Sequence, residues 1–394
     1  MAVEPFAPPV IPATRGDSRR AVAGYLTLYA AIGAWAPFIA VYYDSRGLDL
    51  ETIGLLAAVF AAASMVGAPL WGLAADLRGT RYPVMAIAAL IAAVCAAGVA
   101  LASGATALAI AAAALALAMA GIAPLLDTRA LEVVGEGRAR YGRFRVWGSV
   151  SFIAAVVVTG WIVDRAGIGS IFPILIVALI GTAVVGAGLR SRGGTPPVPR
   201  QGAVRAVLGS RQLMAFLAVA LITWASATAV NAFYSIHLTD IGAAPSLVGV
   251  AWALGAAVEV PIMLAFPFLA RRVGVGPLLV AGAGLFVLRA AVLALTQDPL
   301  LVTLTMLIHG GAFALTLVGG VLYVAQHAPA GAAATAQGSF SAVSFGLAQV
   351  VGPGIGGALG HAFGLLTMFQ LAGIGSAAAV VALALLAGRR DGAG

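Results

Sequence analysis

Long apolar stretches recur along the whole chain and limit it to few architectures. A helix needs about 20 mostly apolar residues to cross the hydrocarbon core of a bilayer. Twelve stretches of that kind are predicted: 21–43, 52–75, 83–103, 105–127, 144–163, 168–189, 212–237, 246–269, 276–296, 299–325, 334–360 and 363–387. Because lipid offers the backbone no hydrogen-bond partner, each stretch is expected to be helical. The sequence therefore predicts an all-α membrane protein with twelve transmembrane helices.

The composition excludes several other classes of protein. Hydrophobic residues make up 62% of the chain and charged residues 9%, whereas soluble domains carry about 25% charged residues. The single cysteine, Cys95, cannot form a disulfide within the chain. No phosphate-binding loop, metal-ligand spacing or nucleophile elbow is present. We therefore expect a protein that is not an enzyme and that holds neither a cofactor nor a metal.

The distribution of arginine predicts the orientation in the membrane. The net charge of +8 comes from arginine alone, and most arginines lie in short loops, which favours the positive-inside rule over nucleic-acid binding. If the N-terminus is cytoplasmic, only Arg46 and Arg165 fall on the opposite side. The arginines of the cytoplasmic side are then Arg15, Arg19, Arg20, Arg78, Arg81, Arg129, Arg138, Arg140, Arg143, Arg190, Arg192, Arg200, Arg205, Arg211, Arg271, Arg272, Arg389 and Arg390. Both termini are therefore expected in the cytoplasm.

A long polar break divides the twelve stretches into six and six. Residues 190–211 are rich in glycine, proline and arginine and are typical of a linker. We expect an N-terminal tail at 1–20, two six-helix halves at 21–189 and 212–387, and a C-terminal tail at 388–394. The first apolar stretch is too long for a signal peptide and is expected to be retained. Two similar halves around a central site are typical of secondary transporters.

Titratable groups inside the apolar stretches mark the candidate site. Glu259 lies near the middle of the eighth stretch, where a carboxylate costs roughly 2.5–3.5 kcal/mol on insertion scales and is usually functional. Asp127, Arg145, Arg289 and His309 lie in four further stretches. We interpret them as parts of one polar site in the bundle. The alternative is that some are helix-end charges that reach the interface.

Two close approaches of opposite charges are expected within this set. The planar guanidinium of Arg145 suits a carboxylate, and Asp127 on the preceding helix is its expected partner. Such a pair could bind substrate when it opens, or could only fix two helices together. Arg289 is expected near Glu259, where it would favour the ionised carboxylate, and the alternative is that the two only form a salt bridge. Trp147 follows Arg145 closely and is predicted to bind substrate.

Polar and aromatic stripes add further candidates. In the seventh stretch, residues at positions i, i+4, i+7 and i+11 share one helical face, and they are Trp224, Thr228, Asn231 and Ser235. The stripe is expected to line a cavity, with Trp224 and Asn231 binding substrate, unless its hydroxyls bond their own backbone. Trp252 lies one heptad before Glu259 and is expected on the same face. Further aromatic and polar candidates are Tyr25, Tyr29, Trp35, Phe313, Thr316 and Tyr323.

The segment GLAADLRGTR at 72–81 resembles the loop signature of the major facilitator superfamily. The resemblance implies the major facilitator fold, with two pseudo-symmetric halves and this loop on the cytoplasmic side. It also implies that the loop controls the conformational equilibrium through Gly72, Asp76, Arg78, Gly79 and Arg81. A degenerate copy, FLARRVGVGP at 268–277, has Arg271 where the first copy has the aspartate.

A narrower resemblance joins the chain to the branch that contains phenylpropionate permeases, beside the oligosaccharide and nucleoside proton symporters. It rests on PFIAVYYDSRGLDLETIGLL, PLLD, YGRFRVWGSVSF, AAVEVP and HGGAF. The resemblance to lactose permease implies substrate binding by Asp127 and Arg145, and substrate or proton handling by Glu259, Arg289 and His309. The second carboxylate that those relatives carry one turn after the histidine is replaced here by Phe313.

The resemblance implies a monomeric proton symporter in a bacterial inner membrane that imports a small organic solute by alternating access. An aromatic carboxylate of the phenylpropionate kind is the expected substrate, and sugars or nucleosides are the alternatives. Efflux of apolar compounds is the alternative direction, and a membrane enzyme or a channel is the alternative class. The expected partners are the substrate, protons and the lipid bilayer, without nucleic acid.

Overall fold

The computed structural model describes residues 15–78, 81–134, 142–189 and 202–388, and within these ranges the chain forms helices and no strand. The helices of the first half are α1 (Arg15–Trp35), α2 (Ile39–Ser45), α3 (Leu50–Arg78), α4 (Arg81–Leu101), α5 (Ala105–Met119), α6 (Ile122–Val134), α7 (Gly142–Ala166) and α8 (Ile171–Ala187). A short 3₁₀ turn, Ile168–Ser170, precedes α8.

A short helix, α9 (Ala203–Gly209), leads into the second half. The helices of that half are α10 (Arg211–Asp240), α11 (Pro245–Val273), α12 (Val275–Leu295), α13 (Pro299–His327), α14 (Ala333–Ala342), α15 (Ala348–Phe363) and α16 (Leu365–Gly388). A π-helical turn, Val343–Leu347, joins α14 to α15 within one span. Pro261 and Pro267 lie inside α11 without ending it.

Twelve helical segments are long and apolar enough to span a membrane, which confirms the prediction of twelve spans. Their ends differ from the predicted ends by a few residues, except where polar contacts extend a helix. The first helix begins at Arg15, inside the predicted tail, because Asp17 of its first turn pairs with Arg129 of α6. The fourth span continues past its predicted end at Asp127 to Val133.

The predicted linker also contains structure that the sequence analysis did not anticipate. Helix α9 lies inside the segment 190–211 and buries Ala203 and Val207. These two side chains join the apolar core that α10 forms with its neighbours. The remaining linker residues, 190–201, lie outside the described ranges.

The packing pattern of the first half repeats in the second. In the first half, α1 packs on α7 and α8, α3 packs on α5, and α4 packs on α5 and α8. In the second half, α10 packs on α15 and α16, α11 packs on α13, and α12 packs on α13 and α16. Each of these contacts occupies the same place in its own series of six spans. The two halves are therefore pseudo-symmetric, as the predicted fold class requires.

Two helix pairs join the halves at one end of the bundle. A Cβ atom added to Gly249 of α11 would lie 2.3 Å from the carbonyl oxygen of Val156 in α7. A Cβ added to Gly54 of α3 would lie 2.3 Å from the carbonyl oxygen of Pro353 in α15. Glycine is thus required at both positions by the close approach of two backbones. This end, which we call the sealed end, lies opposite the arginine-rich loops.

Candidate functional site

Helix α1 supplies two tyrosines to the interior of the first half. Tyr25 and Tyr29 lie one turn apart, so they share a face of the helix, and their rings stack with centroids 6.2 Å apart. The buried Tyr25 donates a hydrogen bond of 2.5 Å from its hydroxyl to Oδ1 of Asp127 in α6. Asp127 is partly exposed.

Tyr29 holds the guanidinium of Arg145. Arg145, near the start of α7, donates a hydrogen bond from Nη1 to the Tyr29 hydroxyl. Its guanidinium carbon lies 4.6 Å from the centroid of the same ring, in a cation–π contact. Gly148 makes room for that ring, because a Cβ there would lie 2.9 Å from Cδ2 of Tyr29. Arg145 remains exposed.

The predicted ion pair between Asp127 and Arg145 was wrong. Among the described residues Asp127 and Arg145 form no ion pair with each other, and each has a tyrosine of α1 as its partner instead. The physical reason is that α1 lies against both α6 and α7 and presents Tyr25 and Tyr29 between them. The sequence carries no signal that separates cavity-lining from interfacial aromatics at Tyr25 and Tyr29.

In the second half, three predicted residues come together from three helices. Arg289 of α12 donates from Nη1 to Oδ1 of Asn231 in α10 at 2.7 Å and approaches Nδ1 of His309 in α13 at 3.3 Å. Its Nη2 lies 3.3 Å from Sδ of Met306, and its guanidinium carbon lies 5.1 Å from the Tyr234 ring centroid. Arg289 is 1% exposed. We call Arg289, Asn231 and His309 the buried triad.

The buried triad constrains the protonation of His309. Its Nε2 lies 3.4 Å from Nδ2 of Asn231, and its Nδ1 faces Nη1 of Arg289. Both neighbours are hydrogen-bond donors, whereas a protonated imidazole has two N–H groups and no acceptor. A neutral ring accepts from one of the two. The geometry therefore holds His309 in its neutral form in this conformation.

The expected approach of Arg289 to Glu259 is not among the contacts of the described residues, and neither is the alternative salt bridge. Within the described residues Arg289 contacts no carboxylate, and its polar neighbours are those of the buried triad together with Met306. The charged residue that interacts electrostatically with Glu259 is Arg145, which belongs to the other half. The sequence placed Glu259 and Arg289 on neighbouring spans, but it did not give the rotation of each helix about its axis.

The register of α7 and α11 explains this meeting of opposite charges. The two helices run antiparallel, with Val156 opposite Gly249 at the sealed end. In an antiparallel pair, each step forward on α11 matches one step back on α7. Eleven steps from the Val156–Gly249 contact, Arg145 is therefore level with Val260, the residue next to Glu259. Both groups thus lie at one height between the halves, at the level where a central site is expected.

The predicted aromatic residues divide into different environments. Trp224 is 3% exposed and packs against Phe286, Phe313 and Phe345. Trp252 donates from its indole nitrogen to the Ser235 hydroxyl at 3.1 Å. Trp147 is 44% exposed, and it lies two residues after Arg145, on another side of α7.

Three polar residues of the seventh-span stripe make contacts between helices. Thr228 is buried and donates to the carbonyl oxygen of Ala348 at 2.9 Å. Ser235 accepts from Trp252, and Asn231 accepts from Arg289. Trp224 borders a small cavity together with Thr316, whereas Thr228 and Ser235 depart from the cavity-lining expectation because their hydroxyls bond to neighbouring helices.

The predicted gating loop is only partly described. Gly79 and the side chains of Arg78 and Arg81 lie outside the described residues. Gly72 lies in α3 and a Cβ there would meet no atom within 4 Å, so packing in this conformation does not require glycine. Asp76 is exposed near the end of α3. The gating role of these five residues remains a proposal.

One buried charge was missed by the sequence analysis. Arg129 of α6, counted above among the loop arginines, is fully buried and donates to Asp17 at 2.6 Å and to Glu132 at 3.2 Å. The spacing of Arg129 and Glu132, three residues apart on a helix, was a signal for that pair. Nothing in the sequence pointed to Asp17. The contact fixes α1 to α6 within the first half.

Comparison with known proteins identifies a family of transporters. Residues 20–371 match the model of the MFS_1 like family. The chain is 30% identical over 376 residues to the maltose permease of Geobacillus stearothermophilus, covering 94% of each chain. It is 25% identical over 311 residues to a protein of Escherichia coli (strain K12) named a probable 3-phenylpropionic acid transporter, covering 77% of this chain and 80% of that one. The crystal structure of the nucleoside transporter NupG matches with a TM-score of 0.81 at 18% identity, over 94% of this chain and 98% of that chain.

Proposed function

The chain belongs to the MFS_1 like family of major facilitator transporters, and from this premise we propose that it is a proton-coupled symporter that imports a neutral sugar by alternating access. That it is a multi-pass membrane transporter follows from its family, its twelve spans and its fold. Proton coupling, direction and substrate are the content of the proposal.

The observation that carries the proposal is the placement of Arg145 and Glu259. They belong to different halves and interact electrostatically at one height between α7 and α11. Any movement of the halves that changes their separation changes how well Arg145 stabilises the charge on Glu259. Glu259 can then take up a proton in one conformation and release it in another. Its mid-helix position in a span agrees with such a role.

His309 has a different part in this proposal than the sequence suggested. Since Arg289 and Asn231 hold its ring neutral in this conformation, it does not carry the transported proton here. The buried triad instead fixes α10, α12 and α13 to one another, so that the second half can move as a unit. Glu259 is left as the proton-coupling group of the second half.

The charges around the gap between the halves favour a neutral substrate. Among the described residues of the candidate site, the charged groups that keep some exposure are Arg145, Asp127 and Glu259, of which one is a cation and two are carboxylic acids. The cation of Arg289 is too deeply buried to add to this balance. A sugar hydroxyl both donates and accepts hydrogen bonds, so it suits a mixed set of carboxylates and a guanidinium. The relative named maltose permease agrees with this substrate class.

An aromatic carboxylate is the second candidate, and one observation favours it. Arg145 is exposed and makes no ion pair with a carboxylate of the described residues, so its fork could receive a substrate carboxylate in bidentate geometry. The relative named a probable 3-phenylpropionic acid transporter agrees with this candidate. In either case Arg145 binds the substrate and Tyr29 orients it.

The proposal also includes the orientation of the protein in the membrane. With the arginine-rich loops in the cytoplasm of a bacterial cell, the sealed end faces outward and the substrate site opens inward. Gly72, Asp76, Arg78, Gly79 and Arg81 then lie at the cytoplasmic end, where the loop would bias the two conformations. The protein is proposed to act as a monomer in the inner membrane.

Counterflow in proteoliposomes tests the proposal. Purified protein is reconstituted into vesicles loaded with maltose, other sugars, nucleosides or phenylpropionate, and uptake of the matching labelled solute is followed. We expect counterflow with a sugar. Counterflow with phenylpropionate alone would transfer the proposal to the second candidate, and no counterflow with any of these solutes would contradict both.

A further inference from the structure

Helix α11 begins without a cap of its own. Its N-cap residue is Ala244, which has no side-chain acceptor, and Pro245 occupies the first helical position. The first amide groups of a helix lack partners within the helix, and a Ser, Thr, Asp or Asn at the N-cap usually supplies one. The backbone N–H of Ser246 is therefore left for another part of the chain to satisfy.

A carboxylate of the other half satisfies that amide. Asp164, in the last turn of α7, accepts a hydrogen bond of 2.9 Å at Oδ1 from the backbone nitrogen of Ser246. A negative charge is unfavourable at the C-terminal end of its own helix and favourable at the N-terminal end of another. The charge of Asp164 is thus placed to stabilise α11 rather than α7.

The contact lies in a closely packed part of the interface between the halves. A Cβ added to Gly160 would lie 2.8 Å from the carbonyl oxygen of Pro245 and 3.0 Å from the Cα atom of Ser246. Gly160 precedes Asp164 by one turn of α7, so glycine packing and capping act at the same end of the same helix pair. Any separation of α7 from α11 at the sealed end must break the hydrogen bond of Asp164.

We infer that Asp164 is a capping residue shared between the halves, which stabilises the conformation closed at the sealed end and is released when that end opens. The inference rests on the proposed alternating access. It adds a positioning residue of the transport cycle that is remote from the substrate site. In the open conformation α11 would start without a capped amide at Ser246.

Two other helices at the same end carry caps within their own half and provide matched controls. Asp49 accepts from the backbone nitrogen of Thr52 at 2.7 Å at the start of α3, and this backbone hydrogen bond lowers the pKa of the Asp49 carboxyl. Asp298 accepts from the backbone nitrogens of Leu300 and Leu301, each at 2.9 Å, at the start of α13. Neither contact crosses the interface between the halves.

The distance between the halves at the sealed end tests the inference. Spin labels are attached to cysteines introduced at the exposed positions Ser103 and Gln297, in a background where Cys95 is replaced by alanine. Double electron–electron resonance then gives the populations of short and long distances between the two labels. It is applied to the D164A, D164N and D298A variants and to the parent, each reconstituted into membranes. We expect D164A to raise the ratio of open to closed protein roughly two- to thirtyfold, the range that loss of a cap allows.

The two further variants separate capping from folding. Asparagine caps helices about as well as aspartate, so D164N should stay within about twofold of the parent. D298A should leave the distance distribution unchanged. An unchanged distribution in D164A, or an equal shift in D298A, would overturn the inference. Failure of the proposed function would appear in a different experiment, as absence of counterflow in the parent protein. That result does not depend on the distances between the spin labels.

Discussion

Arg289 places a cation inside the second half without a carboxylate beside it in the described part of the chain. Burying an unpaired charge is costly, and the structure distributes that charge over an amide oxygen, an imidazole, a thioether and the face of Tyr234. A planar guanidinium can reach several such groups at once, whereas an ammonium is a point charge.

Replacement of Arg289 by lysine should therefore lower the thermal stability of the protein. Hydrogen bonds of charged groups contribute about 1.5–3 kcal/mol, and Lys cannot keep the contacts to Asn231 and Met306 together. The apparent unfolding temperature of purified R289K should fall by several degrees. R272K is the control, because Arg272 lies at the end of α11 over the Phe268 ring. Equal unfolding temperatures for R289K and the parent would contradict this role.

Arg145 is the residue whose substitution should affect substrate affinity. R145K keeps the charge but loses the planar fork and much of the contact with the Tyr29 ring. We expect the half-saturation concentration in counterflow to rise about tenfold or more, equivalent to about 1.4 kcal/mol. R165K, which alters an exposed arginine stacked on Trp161, should transport as the parent does. Parental affinity in R145K would remove Arg145 from the substrate site.

At the scale of helices, close backbone contacts determine which end of the bundle is shut. The sealed end depends on glycines where α7 meets α11 and where α3 meets α15. Further along α3 the contact between the halves is of another kind, because a Cβ added to Gly346 would meet the flexible side chain of Met65 and not a backbone atom. The structure therefore represents a conformation closed at the sealed end.

Replacement of Gly249 by alanine should open that end. The added Cβ would lie 2.3 Å from the Val156 carbonyl oxygen, a distance that real Cβ atoms do not adopt, so α11 must move away from α7. Labels at Ser103 and Gln297 should then report mainly the long distance. G284A is the control, because a Cβ at Gly284 meets no atom within 4 Å. A G249A distribution identical to that of G284A would contradict the role of this contact.

The sequence was sufficient to predict the twelve helices, and the reason is physical. A chain in lipid must satisfy its own backbone hydrogen bonds, so apolar length alone determines where helices form. The positions of Asp127, Arg145, Glu259, Arg289 and His309 along their helices followed from the same pattern. Hydropathy did not anticipate α9 in the predicted linker.

The partners of these groups could not be predicted, because apolar composition does not define how each helix is rotated. Glu259 and Arg289 are on neighbouring spans, yet Arg289 faces Asn231 and His309 while Glu259 faces the other half. Likewise Tyr25 and Tyr29 separate Asp127 from Arg145. Only the packed bundle specifies these contacts.

At the scale of the whole molecule, the two halves can be regarded as two bodies joined mainly along two helix pairs, α7 with α11 and α3 with α15. Each half has its own polar cluster: Tyr25, Tyr29, Asp127 and Arg145 in the first, and the buried triad in the second. The interaction between Arg145 and Glu259 crosses from one body to the other. The central claim is that this crossing interaction couples proton movement to transport.

Coupling to one proton sets how far the transporter could concentrate a solute. One proton that crosses a membrane potential of 100 mV releases about 2.3 kcal/mol, which supports roughly fiftyfold accumulation of a neutral solute. An anionic solute that enters with one proton gains nothing from the potential and depends on the pH gradient alone. Accumulation and counterflow are therefore separable properties, because counterflow requires no net movement of protons.

The E259Q variant, reconstituted beside the parent and the control E51Q, tests the central claim most directly. Both counterflow and accumulation of the sugar under an imposed proton gradient are measured in the same vesicles. Glu51 is exposed in the first turn of α3, so E51Q should behave as the parent in both assays. The proposal predicts that E259Q keeps counterflow and loses accumulation, because glutamine carries no proton across the membrane. Accumulation by E259Q at the level of the parent would contradict the claim that Glu259 couples protons to transport.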